Sequence, residues 1–378
     1  MLDQRRHVVE LQSLRGLAAL VVLASHCFSY YDTPLWFSRT KDLLFNGQGA
    51  VVLFFVLSGF VLGNSLKSAP LAWRGLGAYF TKRAFRIYPA LWAASAVGFA
   101  YVALLHFNAP HPDASTWFVT RFRRERYVPI RYILALAGAL DLLVPPVWSI
   151  FNELVGSAFL PFTTRLTFDR PRWGVGLFVL LGLLAMTFGP ASFNGLLLYP
   201  MDFQAGVLIA LLFSRKPELR RPSPVWPVLF VLGALASGCG RGLVLLVDPN
   251  LTQNDPIMHL VELAGAAAII VAIIAGPLAF LRNRAVKYLG DISYSVYLLH
   301  FPVMGFTGVA LSHVLTGAAL TPWLSLELCV ITLAVTILLA TPVYRFIELP
   351  FIALGKRAAG LFQRVGGPSL RSGAEARA

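Results

Sequence analysis

Arg15 and His26 stand eleven residues apart in one apolar run, Leu14-Arg15-Gly16-Leu17-Ala18-Ala19 through Ser25-His26-Cys27. On a helix, eleven residues turn through about 1100°, close to three full turns, so both side chains share a face roughly 16 Å apart along the axis. An imidazole so placed can serve as a general base or nucleophile, or can hydrogen-bond to a neighbouring helix. Glu153, in Trp148-Ser149-Ile150-Phe151-Asn152-Glu153, lies at the depth of His26 once both runs are drawn as spanning helices. The two can form a base–orienter pair or a lock between helices. Asp202 and His300 also interrupt apolar runs. Each can line a polar, substrate-binding cavity or act as a helix-packing hydrogen-bond group.

Two basic clusters add binding chemistry. Lys82, Arg83 and Arg86 precede Ile87-Tyr88-Pro89. On a helix Arg83 and Arg86 project together, and two adjacent guanidinium forks suit a polyphosphate; plain juxtamembrane anchoring is the alternative. Arg121, Arg123, Arg124 and Arg126, with Arg131, form the second cluster. Through residues such as Arg123 and Arg124 it can hold an anionic polysaccharide or lipid headgroups, or it is a solvated loop. Cys27, Cys239 and Cys329 show no paired spacing, so no metal site is expected and the thiols read as small apolar side chains.

The elements that must position these groups follow from composition. Of 378 residues, 57% are hydrophobic and only 13% charged, with a mean hydropathy of +0.68. An ordinary soluble domain carries about 25% charged residues. This balance excludes a soluble enzyme, a disordered chain and a fibrous repeat, and predicts an all-α, polytopic membrane protein. Ten runs are long enough to span: 11–31, 47–66, 87–106, 147–164, 173–189, 195–213, 225–247, 258–280, 292–313 and 323–344. With both termini cytoplasmic, 24 of the 32 Lys and Arg residues fall on the inner side, as the positive-inside rule requires. Treating the short Ile133–Val144 segment as an eleventh span would destroy that bias, so it reads as re-entrant or interfacial. The formal charge of +14 is therefore mostly topology, and nucleic acid is not an expected partner. The expected division is a transmembrane domain over 1–350 and a flexible cytoplasmic tail over 351–378.

In this order, the motifs resemble acyltransferase family 3, the integral-membrane O-acyltransferases. The resemblance covers roughly residues 8–350. It rests on Arg15 with His26, Phe54-Phe55-Val56-Leu57-Ser58-Gly59-Phe60, Lys82-Arg83-Ala84-Phe85-Arg86 and Trp148-Ser149 with Glu153. It continues in Tyr288-Leu289-Gly290 leading to His300, and in Tyr344-Arg345-Phe346-Ile347-Glu348-Leu349-Pro350. It implies a ten-helix core that moves an acyl group, usually acetyl, from cytoplasmic acyl-CoA to a sugar hydroxyl of a surface or exported glycan. By position, His26 resembles the essential histidine with Arg15 its companion, Arg83 and Arg86 the CoA-phosphate ligands, and Glu153 the helix-four carboxylate. Some relatives carry a C-terminal esterase-like domain; this chain is expected to stand alone, in a bacterial inner membrane. Within the same chemistry, a macrolide or a lipid-linked sugar is an alternative acceptor. In a different class, a transporter could use the same buried Arg, His, Glu and Asp as a substrate or proton path, although no inverted repeat is visible.

Overall fold

The computed structural model describes residues 2–68, 71–106, 114–122, 127–247, 255–276, 278–314 and 322–364. Among the described residues fifteen α-helices run in order: α1 Leu2–Cys27, α2 Leu35–Leu44, α3 Gly47–Leu66, α4 Trp73–Tyr101, α5 Thr116–Val119, α6 Pro129–Leu136, α7 Val147–Asp169 and α8 Pro171–Phe188. They continue with α9 Pro200–Arg215, α10 Val225–Val247, α11 Pro256–Ala275, α12 Arg284–Asp291, α13 Ser293–Val314, α14 Pro322–Pro342 and α15 Leu349–Arg364. Among the described residues the single β feature is an isolated bridge between Tyr31 and Ala114.

Eight helical stretches among the described residues are long and apolar enough to cross a membrane. The runs expected at 11–31 and 147–164 are helical too, in α1 and α7, but they fall outside that set. Both carry the polar groups of interest: Glu10, Arg15 and His26 on one, Ser149, Asn152 and Glu153 on the other. Their hydropathy is diluted by the residues that give them chemistry. Ile133–Val144 does not form a span: α6 ends at Leu136 and the chain turns through Gly138, whose φ of 77° is left-handed.

Helix α1 is the spine, packing against α3, α12, α13 and α14. Asn46 starts α3 by accepting the Gly49 amide at 3.0 Å, a side-chain N-cap. Two close approaches fix the neighbours. A Cβ on Gly206 of α9 would lie 2.1 Å from the Val56 carbonyl oxygen of α3, and one on Gly59 would lie 2.1 Å from that of Phe203. Small residues let the two backbones touch, the usual device for helices in lipid.

The segment after α14 departs from the sequence expectation. Pro342 has no amide proton, and Val343–Glu348 follows as a π-helix. That bulge turns Glu348 inward, where it is 5% exposed and accepts from Ser295. The tail expected from residue 351 is helical through Arg364 and packs along α4, with Gly77 and Gly355 giving room to Phe362 and Phe85. Its Gly/Ala/Arg composition reads as a tail, but its apolar residues recur on one face, and burial of that face decides. Residues 365–378 lie outside the described residues.

Gly206→Val should force α3 and α9 apart and lower the thermal unfolding midpoint of the detergent-solubilised protein, at a cost of about 1–3 kcal/mol or more. Gly176→Val, where an added Cβ meets nothing within 4 Å, should leave the midpoint unchanged.

Candidate active site

His26 lies near the end of α1, where it lines a vestibule of about 280 Å³. Trp117, Trp148, Tyr199 and Phe301 supply aromatic walls, and Gln48 and Asn194 supply amides. The His26 ring lies nearly parallel to that of His300 on α13, at 5.1 Å and 19° between planes, with Trp117 5.5 Å away. His26 Nδ1 and His300 Nε2 are 2.9 Å apart. The other His300 nitrogen, Nδ1, faces the Val296 carbonyl at 3.3 Å. A carbonyl only accepts, so Nδ1 of His300 carries the proton and its Nε2 is an acceptor. His26 Nδ1 must then donate, which leaves Nε2 as the lone-pair nitrogen of a side chain at the cavity wall.

About 16 Å of helix away, Arg15 lies at the junction of three spaces. One is a neck of about 30 Å³, which shares Val51 and Tyr297 with the vestibule. The others are cavities of about 630 and 550 Å³, both lined by Arg15, Leu57, Val61 and Arg86. A chain of cavities therefore runs from Arg86, past Arg15, to His26. The neck is pinched by Tyr297 and Phe54, whose rings are 5.8 Å apart. Ser149 Oγ gives its proton to the Pro146 carbonyl at 2.9 Å, so at 2.6 Å the Tyr297 hydroxyl donates to Ser149. Arg15 Nε has no hydrogen-bond partner, and its guanidinium carbon lies 6.0 Å from the centre of the Phe54 ring. A cation over an aromatic face is attracted to its quadrupole.

Against this geometry, a profile described as "Acyltransferase domain" matches residues 8–341. The chain belongs to that acyltransferase family. It is 25% identical to the peptidoglycan O-acetyltransferase OatA of Listeria monocytogenes over 377 residues, which cover 92% of this chain and 56% of that one. It is 23% identical over 383 residues to a Staphylococcus aureus chain provisionally named an O-acetyltransferase, with 93% and 58% covered. A Rhizobium radiobacter chain named protein 2 in the picA locus is 32% identical over 158 residues, 39% of this chain and 78% of that one. The chain thus spans little more than half the length of the first two relatives. No solved structure gives a significant match.

The expected site residues redistribute. Glu153 is not the partner of His26. Its Oε1 accepts from Arg83 Nη2 at 2.6 Å, and the same nitrogen reaches Ser157 Oγ at 2.7 Å. Glu153 faces the neck rather than the vestibule, and His300 takes the place next to His26. Arg83 consequently points at α7, with its side chain 11% exposed, and lines the 550 Å³ cavity together with Lys82 and Arg86. Asp202 lines neither the vestibule nor the neck. It is fully buried, with Oδ1 2.9 Å from His259 Nε2, behind Tyr199. His300 likewise sits behind His26 rather than on the wall. Arg123 and Arg124 lie outside the described residues, but Arg121 lines the vestibule with its guanidinium 5.5 Å from the Trp117 ring.

Sequence reasoning missed a polar wall. Glu262, fully buried on α11, accepts from Asn46 at 2.8 Å and from Arg241 at 2.9 Å. Asn46 and Arg241 reach the vestibule, and Tyr199 beside them bonds to Gln48. The one available signal was ionisable residues inside apolar runs, which applies to Glu262 and Arg241 as it does to Asp202. Among the described residues no group of three or more His, Cys, Asp or Glu is placed to hold a metal ion.

Glu153→Ala leaves the Arg83 guanidinium buried without its counter-charge and should cost about 3 kcal/mol or more. The double variant Arg83→Met with Glu153→Leu should regain most of the lost thermal stability in the same detergent.

Proposed function

We propose that the chain is an O-acyltransferase that carries an acyl group, acetyl in the first instance, from acyl-CoA to a sugar hydroxyl of a surface or exported glycan. What supports this reading is the series of cavities from a cationic end, past Arg15, to a histidine in an aromatic and amide-lined vestibule. Aromatic faces and amides suit a carbohydrate: the faces stack against C–H surfaces of the ring and the amides bond its hydroxyls. The cationic end suits the phosphates of CoA. The expected orientation puts the Arg86 end at the cytoplasmic face of a bacterial inner membrane and the vestibule at the opposite face.

In this mechanism the acyl-pantetheine arm threads the neck between Phe54 and Tyr297. Its thioester then stands at the vestibule while the nucleotide stays at the Arg86 end. His26 Nε2 removes the proton of the acceptor hydroxyl as its oxygen attacks the thioester carbonyl. The C–S bond breaks, and the leaving thiolate takes the proton from His26 Nε2 to give CoA, which restores the base. His300 acts as a positioning residue. By accepting from His26 Nδ1 it fixes the tautomer that leaves Nε2 basic, as an orienting partner does in other base-assisted acyl transfers. Glu153 holds Arg83, and with it the α4–α7 wall of the neck, so its part is structural rather than in the proton transfer.

Acetylation by the full-length protein in proteoliposomes, driven by acetyl-CoA, is the test. His26→Ala should reduce turnover to background while the protein still inserts; wild-type turnover in His26→Ala would overturn the mechanism. His300→Phe should lower kcat by roughly 10²-fold with KM for acetyl-CoA unchanged. His300→Gln, which can still present an acceptor to His26, should recover most of that loss. A purely packing role for His300 predicts the reverse ranking, with Phe tolerated better than Gln.

A further inference from the structure

With Arg83 Nη2 taken by Glu153 and Ser157, Arg86 is the member of the expected pair that lines both cavities at that end. Further charge is found in the larger of the two cavities at that end, about 630 Å³, within the roughly 300–1,000 Å³ typical of small-molecule sites. Lys67, just past the end of α3, and Arg220, after α9, join Arg15 and Arg86 on its wall. No sequence motif marks either residue. The acids on the same wall are Asp291 and Glu348. Both are already engaged, Asp291 by the Gln12 amide at 2.5 Å and Glu348 by the Ser295 hydroxyl. Four cations thus face two occupied carboxylates.

Arg220 carries a second signal. Its Nε is buried with no hydrogen-bond partner, and its guanidinium carbon lies 5.6 Å from the centre of the Phe213 ring. A stacked guanidinium is held in orientation while its fork stays available to an anion. Phe60, Phe213 and Tyr344 add flat apolar surface to the same wall, which an adenine ring can cover.

We infer that this cavity is the nucleotide subsite, in which Lys67 and Arg220 hold the 3′-phosphate of the adenosine and Arg86 holds the 5′-diphosphate. The 550 Å³ cavity beside it, floored by Arg74, Lys82 and Arg83, is then not where the nucleotide rests. The inference builds on the acyl-CoA reading and assigns its donor end: the pantetheine arm leaves the subsite past Arg15 into the neck, and specificity for the 3′-phosphate belongs to two residues outside the Arg83/Arg86 motif.

The test compares CoA with 3′-dephospho-CoA by calorimetric titration of the full-length protein in zwitterionic nanodiscs. Wild type should prefer CoA about tenfold or more, since hydrogen bonds to a charged group each contribute about 1.5–3 kcal/mol. Lys67→Ala and Arg220→Ala should each bind CoA about tenfold more weakly, bind dephospho-CoA as wild type does, and so lose the preference. Lys67→Arg should keep it. Because the readout is a ratio on one preparation, a poorly folded fraction does not mimic it. If the variants retain the wild-type preference, the subsite is overturned while the acyl-CoA reading stands. If wild type binds neither compound, both fall. Repeating the titrations in anionic nanodiscs separates a lipid headgroup from a nucleotide: a variant effect confined to anionic lipid overturns the inference.

Discussion

A charged or hydrogen-bonding group inside a helical bundle in lipid has no water to satisfy it, and the architecture here follows from how each such group is met. Glu153 is met by Arg83 and Glu348 by Ser295; Glu262 is met by Asn46 and Arg241, and Asp202 by His259. Each pairing ties one element to another: α4 to α7, α13 to the π-helical segment, α3 and α10 to α11, and α9 to α11. Arg15 at the cavity junction and His26 at the vestibule face open space. Both belong to α1, on one face.

That division gives the passage its character. The paired groups are walls, and the groups that line the open volume are those with capacity to spare. Tyr297 and Phe54 narrow the route to about 30 Å³, enough to restrict water yet bounded by side chains that can rotate. A donor whose charged end must stay in a cationic cavity and whose reactive end must travel suits such a shape. It also explains why the neck has an unpartnered guanidinium nitrogen at one end and an imidazole held by a second histidine at the other.

Much of this was legible in the sequence, and the limits are physical. Helix periodicity alone put Arg15 and His26 on one face, because that relation is local. The ionisable groups inside apolar runs were visible, but their partners were not: His26 and His300 are 274 positions apart and Arg83 and Glu153 are 70 apart. Equal depth made Glu153 the natural partner for His26, yet depth says nothing about which way around the bundle a side chain points. The last helix is hidden in the sequence because Gly, Ala and Arg dominate residues 355–364, where packing of one apolar face against α4 outweighs composition. Lys67 and Arg220 look like ordinary juxtamembrane charges until the fold brings them to one cavity wall.

In the proposed reaction the donor enters at the Arg86 end and the acceptor is modified at the His26 end. Proteoliposomes of fixed orientation, with labelled acetyl-CoA confined to one side and a soluble sugar acceptor confined to the other, test it directly. Labelled acceptor should form only when acetyl-CoA is on the Arg86 side and the sugar on the vestibule side. Equal product with both substrates restricted to the Arg86 side would mean that the two ends do not divide donor from acceptor.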